Sequence, residues 1–153
     1  MSRAGLTDGK TVDTSVELNA QLTPLGGKLL SNLSLYRRLV GSLVDLTVTR
    51  PDISYAVHQA SQYLSAPRLT HYVAVLHILR YLKGILFYGL LYSAQSPLVF
   101  CAFFDADWAG DPTNLKSTTS YWFLLGSSLI SWRNKKQTHM AHSSTETEYR
   151  APY

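Results

Sequence analysis

The chain has 153 residues, 46% hydrophobic and 16% charged, with ten tyrosines and three tryptophans. That composition excludes a disordered chain and leaves room for one good core or two small ones. A net charge of +4 and a pI near 9.2 form a mild basic excess; this fits a polyanionic partner but is also common in proteins without one. The lone cysteine, Cys101, lies in an apolar run, which excludes a disulfide framework and points to packing in a reducing compartment. No apolar span reaches 18 residues and the N-terminus lacks a secretion-signal core, so no membrane partner is expected.

Residues 1–33 read as irregular, punctuated by Gly9, Pro24 and Gly26-Gly27. The pattern then turns helical. Ser34 is placed to cap a helix over Leu35–Val44 with Leu35, Leu39, Leu43 and Leu46 on one side. Pro51 suits the first turn of a second helix, whose apolar stripe is Ile53, Ala56, Val57, Ala60 and Leu64, with Pro67 as its stop. Thr70 is placed to cap a third, turning Tyr72, Val75, Leu76, Leu79 and Leu82 inward and closing at Gly84. Three such helices make a small helical subdomain.

From about residue 86 the period becomes that of strands. Leu86–Tyr92 and Leu98–Phe104 are apolar and aromatic, and the second is apolar on both faces, as in a central strand. Thr119–Leu125 and Leu129–Trp132 flank Gly126-Ser127-Ser128, a hairpin signature. Thr138–His142 reads as a further short strand. Ser143 with Glu146 forms a capping-box pattern that starts a helix, which Pro152 interrupts within two turns. The predicted fold is α+β: a helical subdomain, then an antiparallel sheet of three or more strands and a terminal helix. The boundary falls near Ser93–Pro97, giving segments 1–95 and 96–153.

The strongest candidate for chemistry is Asp105, at the end of an apolar strand with its side chain on the side of Val99, Cys101 and Phe103. Asp107 shares its parity, and Asp111 lies in the loop beyond. Asp and Gly after a strand also read simply as a turn. Of the two glutamates in Ser143–Tyr149, Glu146 is the capping partner and Glu148 is left for other work. A carboxylate fixed at a strand end and another on a nearby helix can share divalent metal for phosphodiester hydrolysis. Arg133, Lys135 and Lys136 form a basic loop, readable as a solvated turn or as a phosphate contact. Arg80 and Lys83 fall on the presumed outer face of the third helix. His139 and His142 lack metal-ligand spacing, and no Walker loop, GxGxxG or nucleophile elbow occurs.

Nearly the whole chain resembles the Pol polyprotein of copia-type retrotransposons, especially those of plants. Tyr36–Leu43, Leu46–Val57 with its Arg50-Pro51-Asp52-Ile53 core, and His77–Gly84 are similar to the thumb and connection region after the reverse-transcriptase palm. Asp105–Asp111, Lys116-Ser117-Thr118, Ile130-Ser131-Trp132, Lys135-Lys136-Gln137 and Ser143–Tyr149 resemble the start of its ribonuclease H domain. The resemblance implies that Asp105 is the first metal-binding aspartate and Glu148 the facing helix glutamate. It also implies two Mg2+ (or Mn2+) ions and RNA–DNA hybrid as substrate, with the rest of Pol as partner and an intracellular setting, cytoplasmic or nuclear.

The polymerase palm and the later ribonuclease H aspartates have no counterpart among these residues. The resemblance therefore implies a truncated piece that is inactive alone, with an incomplete ribonuclease H-like sheet. A non-catalytic module holding hybrid or single-stranded nucleic acid, and a pseudogene product without selected function, are the alternatives. Asp45 stands where the family has an apolar or aromatic residue, and burial would make it costly.

Overall fold

The computed structural model describes residues 10–17, 22–110 and 115–151. The chain divides after Gly89 into two compact units. The element order is α+β throughout: α1 (Leu33–Leu46), a 3-10 turn (Pro51–Ile53), α2 (Ser54–Ser61), α3 (Leu69–Gly84), then β1 (Phe100–Ala106), β2 (Thr118–Leu125), β3 (Ser128–Lys136) and α4 (Ser144–Arg150). Asp111 and Pro152 lie outside the described residues.

The first unit is built on an apolar core. Tyr36, Val40 and Leu43 of α1 meet Ile53, Ala56, Val57 and Ala60 around α2, and Val75, Ile78 and Leu82 of α3. Each large apolar side chain buried there contributes about 1.5–3 kcal/mol. The α2 stripe is the predicted one, with Leu64 packed at its margin. On α1 and α3 the buried face is rotated by about one residue from the predicted leucine stripes. The reason is that Tyr36 and His71 are fully buried in place of Leu35 and Tyr72, and each has partners for its polar atoms. The Tyr36 hydroxyl donates to the Ala60 carbonyl at 2.8 Å, and burial pushes its pKa up, so it stays a neutral donor.

The caps differ from the predicted ones. Asn32, not Ser34, caps α1, its Oδ1 accepting from the Leu35 N–H at 2.9 Å. Helix α3 starts before Thr70, whose hydroxyl instead donates to the Gly26 carbonyl at 2.7 Å. Helix α2 ends at Ser61, well before Pro67, which is itself fully buried. Asp45 is exposed and therefore carries no burial cost. Arg80 and Lys83, expected on an outer face, are half-buried.

The Arg50-Pro51-Asp52 run has a structural role. Arg50 Nε and Nη2 donate to the two Asp52 carboxylate oxygens at 2.9 and 2.6 Å, a two-pronged charge-assisted pair. Burial works against the Asp52 charge, yet hydrogen bonds from Arg50 and Tyr81 leave its carboxyl below the usual value.

The start of α3 also fastens the irregular segment before α1. Arg68 Nη1 donates to the Gly27 carbonyl at 2.8 Å, and the backbones of Leu30 and Pro67, and of Leu69 and Lys28, pair at 3.0 and 2.9 Å. His71 stacks on Tyr63 with centroids 3.9 Å apart. Its Nδ1 accepts from the Arg68 N–H at 3.0 Å, so Nε2 must carry the proton shared with the Thr23 carbonyl at 3.0 Å. That arrangement requires neutral imidazole.

In the second unit the strands form one antiparallel sheet in the order β1-β2-β3. Two residues, Gly126-Ser127, join β2 to β3, with Gly126 at φ +60 in the first central position, as a type II′ turn requires. Two predicted strands are absent. Leu86–Tyr92 is turn and coil with most of its apolar side chains in solvent, having no ladder partner and a glycine at its middle. Thr138–His142 is likewise irregular. The strand predicted to be central, now β1, is an edge strand, with Phe100, Phe103 and Phe104 exposed, because among the described residues only β2 pairs with it.

Burial lowers the pKa of His71, and the Arg68 charge adds to this. An unfolded histidine takes up its proton near 6.5, so the folded state falls behind in proton uptake as pH drops through that value. Stability of the helical unit is present above pH 6.5 and is lost as pH falls toward the depressed folded pKa. Urea midpoints measured from pH 8 to pH 5 should fall below pH 6.5 in the native chain. In His71→Phe that part of the dependence should vanish; an unchanged slope would contradict the neutral-histidine assignment.

Candidate functional site

The residues singled out for chemistry all fall in the second unit. Asp105 is the penultimate residue of β1, exposed, and directly opposite Ser120. Ser120 in turn opposes Asn134 and donates to its Oδ1 at 2.5 Å. Directly opposed residues share a face and neighbours alternate, so Asp105, Ser120 and Asn134 form a polar row on one face. The rows Phe104–Tyr121–Arg133 and Ala106–Thr119–Lys135 lie on the other.

Helix α4 lies against β1 and carries Glu148, also exposed. Its start is the predicted one: Ser143 Oγ accepts from the Glu146 N–H at 3.1 Å. The Glu146 carboxylate reaches back one residue farther than a capping box, accepting from the His142 N–H at 2.8 Å, and pairs with Arg150 at 2.7 Å. The His142 hydrogen bond first, then Arg150, hold its carboxyl below the usual range.

The strand of Asp105 and the helix of Glu148 are therefore neighbours, but α4 docks on the face of Thr119 and Tyr121 and Asp105 lies on the other face of the sheet. Among the described residues no three His, Cys, Asp or Glu side chains gather closely enough to hold a metal ion. Asp107, two residues beyond Asp105, is committed to the backbone: its Oδ1 accepts from the Thr118 N–H while its own N–H donates to the Thr118 carbonyl at 3.2 Å. Its carboxylate folds over Gly110, where a Cβ would collide with it. Two ions about 4 Å apart demand more donors than two carboxylates. The described residues do not by themselves fit such a centre.

What holds α4 in place is a polar knot that sequence reasoning did not identify. Gln137 Nε2 donates to both Thr119 Oγ1 and the Thr147 carbonyl, each at 3.1 Å. Thr147, fully buried, donates from Oγ1 to the Ser143 carbonyl at 3.0 Å and lies 3.3 Å from Ser117 Oγ. Ser117 Oγ also accepts from the Ala109 N–H at 3.1 Å, and the Gln137 N–H donates to the Ser117 carbonyl at 2.8 Å. Trp108 Nε1 donates to the Ala141 carbonyl at 3.3 Å. Helix α4 is polar throughout and β2 opens on Thr118-Thr119-Ser120, so residue pattern carries no signal for which of these hydroxyls is buried.

Arg133, Lys135 and Lys136, predicted as a loop, are the last residues of β3, because β2 begins at Thr118 and supplies them with ladder partners. Arg133 and Lys135 are exposed on the face of Phe104, Tyr121 and Phe123, and this face lines a cavity of about 520 Å³.

Comparison with known proteins gives one consistent picture. The Retrovirus-related Pol polyprotein from transposon RE2 of Arabidopsis thaliana is 41% identical over 151 residues, 99% of this chain and 10% of its own length. An uncharacterized mitochondrial protein of the same plant is also 41% identical over 151 residues, 62% of its length. The Secreted RxLR effector protein 161 of Plasmopara viticola is 44% identical over 117 residues, 76% of this chain and 82% of that protein. The chain spans about a tenth of the Pol polyproteins it matches. No family model and no solved structure matches it.

Valine at position 147 keeps the volume of threonine but deletes the hydroxyl that reaches Ser143 and Ser117. Thr147→Val should therefore lower the stability of the second unit by about 1–2 kcal/mol, read from its denaturant transition. A neutral result would mean that α4 is held by something else.

Proposed function

We propose, since the chain is homologous over nearly its full length to a short segment of copia-type retrotransposon Pol polyproteins, that residues 1–95 are a reverse-transcriptase thumb and connection segment and residues 96–153 the beginning of a ribonuclease H-like domain. In this reading Asp105 and Glu148 are two of the carboxylates that hold magnesium for cleavage of RNA in an RNA–DNA hybrid. The remaining donors come from elsewhere. The observation that carries the reading is the order of parts: a strand ending in Asp105, an antiparallel hairpin, and a helix bearing Glu148 that returns to lie against that strand.

With two of the required carboxylates, these 153 residues do not hydrolyse hybrid by themselves. Magnesium, where bound, supplies charge neutralisation and an activated water. What this chain contributes is placement: β1 fixes the backbone of Asp105, and the knot around Thr147 fixes the helix that presents Glu148.

The experiment is cleavage of the RNA strand of a labelled RNA–DNA hybrid by the purified chain in Mg2+ and in Mn2+, beside Asp105→Asn. The expected outcome is no cleavage above the variant. Metal-dependent cleavage that disappears in Asp105→Asn would overturn the inactivity of the isolated segment and show that its own carboxylates suffice.

A further inference from the structure

We propose that the sheet face bearing Phe104, Tyr121 and Phe123 binds single-stranded nucleic acid, bases stacking on those rings and phosphates held by Arg133 and Lys135. Strand alternation puts Asp105 on the opposite face, and although α4 borders this face through Arg150 and Ala151, the proposal uses neither Asp105 nor Glu148 and does not rest on the reading above.

The three rings form one platform. Tyr121 and Phe123 have centroids 5.0 Å apart, and Phe104 stands edge-on to Phe123 at 5.9 Å. Phe104 is 42% exposed while Tyr121 and Phe123 are half-buried, so the cluster reaches solvent mainly through Phe104. The cations are built into the same rows. Arg133 lies directly across from Tyr121, and Lys135 directly across from Thr119, one position along. The backbone ladder sets the Arg133 backbone one strand spacing, about 5 Å, from that of Tyr121. Arg150 and Lys136 also border the cavity; Arg150 is paired with Glu146 and Lys136 has the alternate strand parity opposite Thr118, so Arg133 and Lys135 are assigned the main phosphate contacts.

The chemistry selects the ligand. An aromatic floor with cations along one side matches a strand that offers flat unpaired bases on one side and phosphates on the other. A duplex keeps its base faces stacked internally and presents only edges and backbone to a protein. An acidic peptide would satisfy the cations but has no row of planar rings to lay on the floor. The cavity of about 520 Å³ is in the size range of small-ligand pockets, so it accepts bases but not a helix.

The test uses the purified chain and fluorescence anisotropy with a labelled oligothymidylate of about twelve nucleotides. A second probe of equal length and charge has abasic sites in place of bases, and a third is an RNA–DNA hybrid. The proposal predicts salt-dependent binding to the oligothymidylate, at least about tenfold weaker binding to the abasic strand, and weaker binding to the hybrid. Both cations are exposed, so Arg133→Gln with Lys135→Gln spares the fold. That double variant should flatten the log–log salt slope by roughly 1.4, about 0.7 per lost phosphate contact. Equal affinity for the abasic strand, equal displacement by polyglutamate, preference for the hybrid, or a double variant that binds like the native chain would each overturn it. So would absence of binding in a sample whose circular dichroism shows the fold intact.

Discussion

The second unit depends on one small set of hydrogen bonds: the Gln137 amide bridging Thr119 and the Thr147 carbonyl, with the Thr147 hydroxyl shared between Ser143 and Ser117. Helix α4 has only seven residues, far below the length at which an isolated helix persists in water. Its capping contacts are local and cannot dock it on the sheet. Apolar burial offers little help, since Ala141 and Ala151 are the buried apolar residues described in this unit, while Ser117, Thr118, Thr119, Ser128 and Thr147 are buried polar ones. Placement of Glu148 therefore follows from the knot, and the knot from three short sequence runs far apart in the chain.

Two kinds of cohesion coexist in one polypeptide. The helical unit follows the usual rule: a continuous apolar cluster, with Tyr36 and His71 admitted because every polar atom they bury has a partner. The sheet unit leaves Phe100, Phe103, Phe104, Trp108 and Trp122 substantially exposed. Exposed aromatic area of that kind marks surfaces used for binding. One face carries cations in the aromatic rows and the other carries Asp105 among Ser120 and Asn134, so the two faces are chemically distinct.

Much of the fold was legible from residue pattern. The α2 stripe at spacing 3, 4 and 7, the glycine turn between β2 and β3, and the Ser143 cap all appear as read, because each depends on local geometry. The misreadings have a common cause in long-range partners. The residue pattern favours leucines over Tyr36 and His71 because the Ala60 and Thr23 carbonyls that satisfy those two lie 24 and 48 residues away. Leu86–Tyr92 has strand composition but finds no strand to pair with, and composition alone does not supply a ladder. At the candidate site, Asp105 and Glu148 could be named from sequence. Asp107 and Gln137 could not be separated from ordinary turn and loop residues, since their roles are hydrogen bonds to the distant Thr118, Thr119 and Thr147.

Native-state hydrogen exchange on the chain and on Gln137→Leu tests the central claim, that the knot rather than an apolar core holds α4 to the sheet. The account predicts that the amides of α4 lose protection in the variant by about one to two powers of ten, the equivalent of roughly 1–3 kcal/mol, while those along the β2–β3 ladder keep theirs. Equal protection of α4 in both proteins would contradict it.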